Sequence, residues 1–259
     1  MSRSKLDPPC VGWERDLPAP NDSPGVLEAF GDPPNHRNEI YLEFPRASFM
    51  WRGIWVIGGL VCVAASASLA GLLTYMYISR NYFPPAGIGL TALATIAVLV
   101  CIGGGSIRQD ISCPLDEPIR FNRLRRKVYV YRFHYRWGRP FNSALWYVKP
   151  EVYDWDDLRA EVYQIYVPTV AYNSGVNIAV VKPGTNQVID RFFFGHGLVP
   201  ANYWKMAIAF MQSGPDALPK FDRPPRDWNN EDPGINLARR FAPKVKWPEA
   251  MDVESRTAP

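Results

Sequence analysis

The sequence predicts a membrane α-helical hairpin joined to an α+β domain: two antiparallel transmembrane helices, then an antiparallel β-rich domain closed by one C-terminal helix. Two observations lead to this fold class. Two long uncharged segments, residues 53–78 and 83–107, lie side by side along the chain. Short segments rich in β-branched and aromatic residues follow, and one amphipathic segment comes after them. We expect four regions: a Pro-rich N-terminal segment at 1–48, the hairpin at 49–108, the β-rich domain at 109–219 and an extended Pro-rich tail at 220–259.

The overall composition excludes little by itself. Hydrophobic residues make up 47% of the chain and the net charge is +4, which is too small to indicate nucleic-acid binding. The four cysteines form no CxxC motif, so we interpret them as buried or inert thiols in a reducing compartment: Cys10, Cys62, Cys101 and Cys113. The first 45 residues contain no apolar segment, and we therefore expect no signal peptide and insertion through the internal segments.

The two uncharged segments form the predicted hairpin. Each is longer than the roughly 20 residues with which an α-helix crosses a bilayer core. A short turn around Ser79–Arg80–Asn81 joins them, which makes the helices antiparallel neighbours. Aromatic residues mark the predicted membrane interfaces: Trp51, Trp55, Tyr75, Tyr77 and Tyr82. Small residues spaced by four predict close helix packing: Ala64 with Ser68, Ala67 with Gly71, and Gly87 with Thr91 and Thr95. We interpret Gly103–Ser106 as a flexible helix end.

Basic residues predict the orientation of the hairpin. The turn between the helices carries only Arg80, whereas Arg46 and Arg52 precede the hairpin and Arg108 begins a basic flank after it. Because short cytoplasmic loops carry the excess of Lys and Arg, both termini and the β-rich domain are expected in the cytoplasm.

The β-rich domain begins with a predicted hairpin. Residues 118–123 alternate apolar and polar side chains, and residues 127–134 are β-branched and aromatic. Leu124–Arg125–Arg126 supplies the turn between them. A short strand is expected at 145–148, and a single turn at 155–158 leads into a strand at 160–166.

A second hairpin and one helix complete the domain. Strands at 177–182 and 187–193 flank the turn residues 183–186, which include Pro-Gly. Residues 200–213 form the closing helix, and Gly214 ends it. A pleckstrin-homology-like barrel has this layout, and other small α+β arrangements remain open. The terminal segments either extend into solvent or wrap over the domain, and their tryptophans favour docking: Trp13, Trp228 and Trp247.

One basic turn is the candidate contact site for lipid or a partner. It consists of Arg123, Arg125, Arg126 and Lys127. Anionic headgroups would attract such a cluster by about 1 kcal/mol per basic residue. Topology determination and solvation are the alternatives. No aromatic platform lies between these residues, so we expect no nucleic-acid binding.

The sequence contains no catalytic motif, and we expect no enzyme, no metal and no cofactor. Asp154, Asp156 and Asp157 have the spacing of a capped turn, although paired carboxylates also serve acid–base chemistry or cation binding. No histidine has a partner at metal-ligand spacing; the three are His36, His134 and His196. An enzyme with a site around Asp154–Asp157 or His196 remains the alternative.

Two segments carry a family resemblance. Asp116–Tyr129 (DEPIRFNRLRRKVY) resembles a hallmark segment of an uncharacterised proteobacterial membrane family in which two transmembrane helices precede a β-rich domain. Phe210–Pro219 (FMQSGPDALP) is similar to its closing motif. The resemblance covers residues 40–220, approximately. Members are found near type VI secretion genes, which implies an accessory or immunity protein in the bacterial inner membrane. The resemblance supplies no site residues.

These observations lead to two hypotheses of different kinds. The first is a membrane-anchored, non-enzymatic module that binds a protein, with a secreted toxin or a secretion-system protein as its expected partner. The second is a lipid- or stress-responsive domain that binds anionic headgroups through the basic turn. The oligomeric state is left open by the sequence.

Overall fold

The computed structural model describes residues 4–46, 52–80, 82–167, 171–197 and 199–259. The strands before the helical hairpin are β1 (Trp13–Asp16), β2 (His36–Arg37) and β3 (Tyr41–Phe44). The hairpin consists of α1 (Ile54–Arg80) and α2 (Ala86–Ser112). After it come β4 (Ile119–Asn122), β5 (Lys127–His134), β6 (Tyr147–Asp154), β7 (Leu158–Val167), β8 (Ala171–Val181), β9 (Val188–His196), α3 (Val199–Ser213), α4 (Leu237–Phe241) and α5 (Glu249–Arg256). Trp51, predicted at a membrane interface, and Asn81, predicted in the turn between the helices, lie outside the described residues.

The two predicted helices of the hairpin are confirmed. Both α1 and α2 are long and apolar enough to cross a membrane, judged by length and composition. Few of their residues are buried within the protein, and large apolar side chains point outward from both: Ile57 and Leu72 on α1, and Leu90 and Leu93 on α2 are each at least half exposed. The hairpin therefore presents apolar surface that the protein itself does not cover.

The close approach of α1 and α2 lies at Gly59 and Gly103. A Cβ atom on Gly59 would come within 2.6 Å of the Gly103 carbonyl oxygen. The predicted packing at Gly71 and Gly87 is wrong, because an added Cβ at either would meet nothing within 4 Å. The interpretation of Gly103–Ser106 as a flexible end is also wrong, since α2 continues through it to Ser112. Small residues permit close packing only where the helices converge, and here they converge near the domain.

Within the described residues, nine strands form two antiparallel sheets. One has the order β1-β7-β8-β9 and the other β2-β3-β4-β5-β6. The predicted hairpins are confirmed: Asn122 pairs with Lys127 across the β4–β5 turn, and Val181 pairs with Val188 across the β8–β9 turn. The predicted turn before β7 is a 3₁₀ helix at Trp155–Asp157.

Both terminal regions differ from the extended segments predicted for them. The N-terminal segment contributes β1 to one sheet and β2 and β3 to the other. The tail contains α4 and α5, which are too short to be stable alone and depend on packing against the domain. Trp228 and Trp247 of the tail are buried. The pleckstrin-homology-like arrangement stays a prediction. Each sheet combines strands that precede the helical hairpin in the chain with strands that follow it.

The core lies between the two sheets and α3. Its central rings belong to Trp155 and Trp204, whose centroids are 5.1 Å apart. The predicted apolar face of the closing helix is buried there: Trp204, Ala207, Ile208 and Met211. Gly214 follows α3 with a φ of +85°, a conformation that favours glycine and ends the helix as predicted. This core holds β3 and β4, which carry the site described next.

Candidate functional site

A polar cavity of about 500 Å³ lies where three parts of the chain meet. The N-terminal segment, the start of the β-rich domain and the tail each supply part of its wall. The residues used below are Asn35, Glu43, Asp116, Arg120, Trp228 and Trp247. The size is that of cavities that bind small ligands or a few side chains, and the lining is mostly polar, so water or a hydrogen-bonding ligand suits it.

Arg120 is the buried cation of the cavity wall. The β3–β4 register sets it directly opposite Glu43, and its guanidinium donates to that carboxylate. It also donates to Asp252 Oδ1 at 2.6 Å and to Ser255 Oγ at 2.8 Å, both on α5. The Trp247 ring lies 4.5 Å from the guanidinium carbon. Arg120 therefore fixes the tail helix to the sheet, and its positive charge is balanced on both sides.

Asp116 is the buried anion of the cavity wall. Its Oδ1 accepts hydrogen bonds from the backbone N–H groups of Arg46 at 2.9 Å and Glu117 at 2.8 Å. Its Oδ2 accepts one from Asn35 Nδ2 at 2.9 Å. Burial raises the pKa of this carboxyl from 3.8 to about 6. The carboxyl can therefore change charge near neutral pH, inside the cavity wall.

Asn35 connects the two charged centres. Its Nδ2 donates to Glu43 Oε1 at 3.2 Å as well as to Asp116, and its Oδ1 accepts from Trp228 Nε1 at 2.9 Å. The network thus runs from the tail through the N-terminal segment to the domain. Because the bonds of Asn35 to Asp116 and to Trp228 cross between chain segments, the cavity exists only when the N-terminal segment and the tail are both docked.

The rim of the cavity carries charges of both signs. Arg226 lies over the Trp228 ring at 4.5 Å, and Arg256 pairs with Asp252 at 3.1 Å. Lys246 is exposed, and no ion pair of its ammonium is seen in the part of the chain that the structure describes. Such a rim favours a polar ligand that offers both donors and acceptors, for example an extended segment of a protein.

The predicted basic turn lies outside this cavity, and its cations already have acceptors. These contacts are Arg123 with Glu39 at 3.6 Å, Arg125 with the Thr257 carbonyl oxygen at 3.0 Å, Arg126 with Asp156 at 3.1 Å and Lys127 with Glu254 at 2.9 Å. A headgroup that bound this turn would compete with those partners.

The acidic cluster forms the turn at Trp155–Asp157. A hydrogen bond from Arg126 lowers the pKa of Asp156, whereas burial, reinforced by Asp154, raises the pKa of Asp157. Arg126 of the basic turn and Asp156 of the acidic cluster, two candidate site residues, thus form an ion pair with each other. Asp154 precedes the 3₁₀ turn but makes no side-chain capping bond.

The three histidines lie apart, each beside a tyrosine. His36 stacks on Tyr41 at 4.3 Å and His134 on Tyr147 at 5.3 Å between ring centroids, and His196 Nδ1 is 3.4 Å from the Tyr163 hydroxyl. Burial lowers the pKa of all three. Within the described ranges, no group of three His, Cys, Asp or Glu side chains is arranged to hold a metal ion.

Sequence reasoning missed the cavity residues Asn35, Glu43, Asp116 and Arg120. The available signal was the pair of tryptophans in the tail, Trp228 and Trp247, which pointed to docking but not to a cavity.

Comparison with known proteins gives one family match. No curated protein and no solved structure matches the chain. The model of DUF6708, described as a family of unknown function, matches residues 96–233, from within α2 to just before α4.

Proposed function

We propose that this chain is a membrane-anchored, non-enzymatic module that binds a polar segment of a partner protein. The chain belongs to the DUF6708 family of unknown function, so the proposal is built on the geometry of the chain itself. The observation that carries the proposal is the cavity of about 500 Å³ with charges of both signs on its rim. Hydrogen bonds and ion pairs along such a rim recognise an extended polar chain.

The anchor in this proposal is the helical hairpin. Its outward apolar side chains suit lipid, and β3, before α1, pairs with β4, after α2. Strands of one sheet lie on one side of a membrane, so both flanks of a spanning hairpin share a side. The excess of Arg on those flanks favours the cytoplasm, with the Arg80 turn on the opposite side. We place the chain in a bacterial inner membrane.

The partner class in this proposal comes from the family resemblance of the sequence. It implies an immunity or accessory protein of type VI secretion, and the partner is then a secreted toxin or a secretion-system protein. A domain held at the inner leaflet is concentrated where a toxin crossing into the cell arrives. The cavity supplies a recognition site of suitable chemistry for such a partner.

The alternative function, headgroup binding through the basic turn, requires a rearrangement. Lys127 and Arg126 would exchange Glu254 and Asp156 for lipid phosphates. Exposed ion pairs are weak, about 0–1 kcal/mol each, so the exchange is physically accessible. Each cation of the turn nevertheless has a partner already, so none is free to make the first contact with a headgroup. We therefore prefer binding of a partner protein at the cavity.

Affinity capture from native membranes tests the proposal. The tagged full chain is purified in mild detergent, and bound proteins are identified and quantified by mass spectrometry. We expect one protein in stoichiometric amount with the wild type, and its loss with Lys246→Glu on the cavity rim. Lys182→Glu, an exposed lysine on the β8–β9 turn, is the matched control and should keep the partner. Capture that is absent, or equal in both variants, would refute cavity recognition.

A further inference from the structure

The loop between β5 and β6 packs against α2 near the end of its apolar stretch. We call residues 135–146 the aromatic loop. A Cβ atom on Gly104 would lie 2.9 Å from the Phe141 ring, and one on Gly105 would lie 3.5 Å from the Trp137 ring. The two glycines thus leave room for aromatic rings against the helix backbone.

Arg108 of α2 fixes the aromatic loop from the other side. Its guanidinium donates to the Pro140 carbonyl oxygen and lies 5.2 Å from the Trp146 ring centroid. The loop is therefore held at a defined height along α2, between Gly104 and Arg108.

That height corresponds to the edge of a bilayer core. A helix crosses the core with about 20 residues, and counting from Ala86 at the start of α2 places the boundary near Gly105. In a membrane that contains the hairpin, the aromatic loop then lies at the boundary between headgroups and acyl chains. This step rests on the membrane anchoring proposed above.

The exposed side chains of the aromatic loop fit this boundary. Tyr135 is 51% exposed, Trp137 42% and Phe141 67%, so three large rings are uncovered within one loop. Arg136 and Arg139 are exposed, and neither forms an ion pair with any described residue. Aromatic rings concentrate at membrane interfaces, and nearby Arg side chains attract anionic headgroups.

We propose that the aromatic loop is a third membrane contact of this protein, separate from the two helices. Trp137 and Phe141 enter the interfacial layer of the bilayer that holds the hairpin, and Arg136 and Arg139 bind anionic headgroups. The loop thereby sets the tilt and height of the β-rich domain over the membrane. The basic turn takes no part in this contact, since its cations pair within the protein.

Photo-crosslinking to lipid tests this contact on the full chain. Benzoylphenylalanine replaces Phe141 in one variant, Leu72 in the middle of α1 in a second, and Phe30 in a third. Phe30 is 50% exposed, and its carbonyl oxygen accepts from Asn202 on α3 of the β-rich domain, so it serves as the matched aromatic control. Each variant is reconstituted into vesicles of neutral lipid or of neutral and anionic lipid, irradiated, and analysed by mass spectrometry for lipid adducts.

We expect lipid adducts at Leu72 and Phe141 and none above background at Phe30. In anionic vesicles, Arg136→Gln with Arg139→Gln should lower the adduct yield at Phe141 to the level seen in neutral vesicles. Adducts at Leu72 without adducts at Phe141 would refute the third contact while leaving the anchor intact. No adduct at Leu72 would refute the anchor, and the loop contact with it.

Discussion

Arg46 joins the two sheets through a single buried side chain. Its Nε donates to the Glu117 carbonyl oxygen at 2.6 Å, its Nη2 to the Tyr131 carbonyl oxygen on β5 at 2.6 Å, and its Nη1 to the Phe193 carbonyl oxygen on β9 at 2.7 Å. β5 and β9 belong to different sheets. The side chain is only 7% exposed. The substitution Arg46→Met keeps most of its apolar length and removes all of these donors.

The expected loss can be worked out from those contacts. The hydrogen bonds to Glu117 and Tyr131 are partly buried, and the one to Phe193 is exposed. A hydrogen bond from a charged donor contributes about 1.5–3 kcal/mol, so the two partly buried ones together contribute roughly 3–6 kcal/mol. For a chain of this size, we expect the midpoint of thermal unfolding to fall by on the order of 10 °C.

The assay is thermal unfolding of the full chain in detergent micelles. Near-ultraviolet circular dichroism follows the buried rings of Trp155 and Trp204. Arg125→Met is the matched control, because Arg125 also donates to carbonyl oxygens but does so at the surface. We expect the control to shift the free energy of unfolding by less than about 0.5 kcal/mol. Equal midpoints for Arg46→Met and Arg125→Met would show that Arg46 does not join the sheets.

Two further predictions concern the helix contact and the cavity. Gly59→Ala places a methyl group 2.6 Å from the Gly103 carbonyl oxygen, so we expect a lower melting midpoint of the helical signal at 222 nm. Gly71→Ala, with open space around it, should leave the midpoint unchanged, and equal effects of the two would contradict the close approach. The raised pKa of Asp116 means that the folded state binds its proton more tightly than the unfolded state does. Its ionisation therefore destabilises the fold as pH rises from about 4 to 6, by up to about 3 kcal/mol. Denaturant unfolding at several pH values should show the wild type losing stability relative to Asp116→Asn across that interval, and a constant difference would contradict the burial argument.

Local patterns predicted the elements whose partners are close in sequence. The β4–β5 and β8–β9 hairpins, α3 and the two apolar helices each follow from periodicity or turn residues within a short window. Burial of the tail could be anticipated only through isolated tryptophans. Its helices α4 and α5 are short, and such helices form because the domain supplies a surface for them.

The cavity could not be predicted from the sequence, because its contacts join distant positions. Trp228 donates to Asn35, and Arg120 donates to both Glu43 and Asp252. No local window contains both ends of any of these contacts, so no period or motif marks them. The packing glycines were misplaced for a related reason: small residues recur along both helices, and only the convergence of the helices at Gly59 decides which ones matter.

The pairing of β3 with β4 makes the helical hairpin an insertion between two neighbouring strands of one sheet. Phe44 pairs with Ile119, and the whole of α1 and α2 lies between them. During synthesis, β3 leaves the ribosome before either helix, with only the two-residue β2 to pair with, and its other edge has no partner until both helices have been made. Closing a loop costs entropy that grows only slowly with its length, so the long insertion is tolerated. The sheet can therefore be completed only after the whole hairpin has been made. A chain interrupted within α2 would be left with an unpaired, aggregation-prone strand edge.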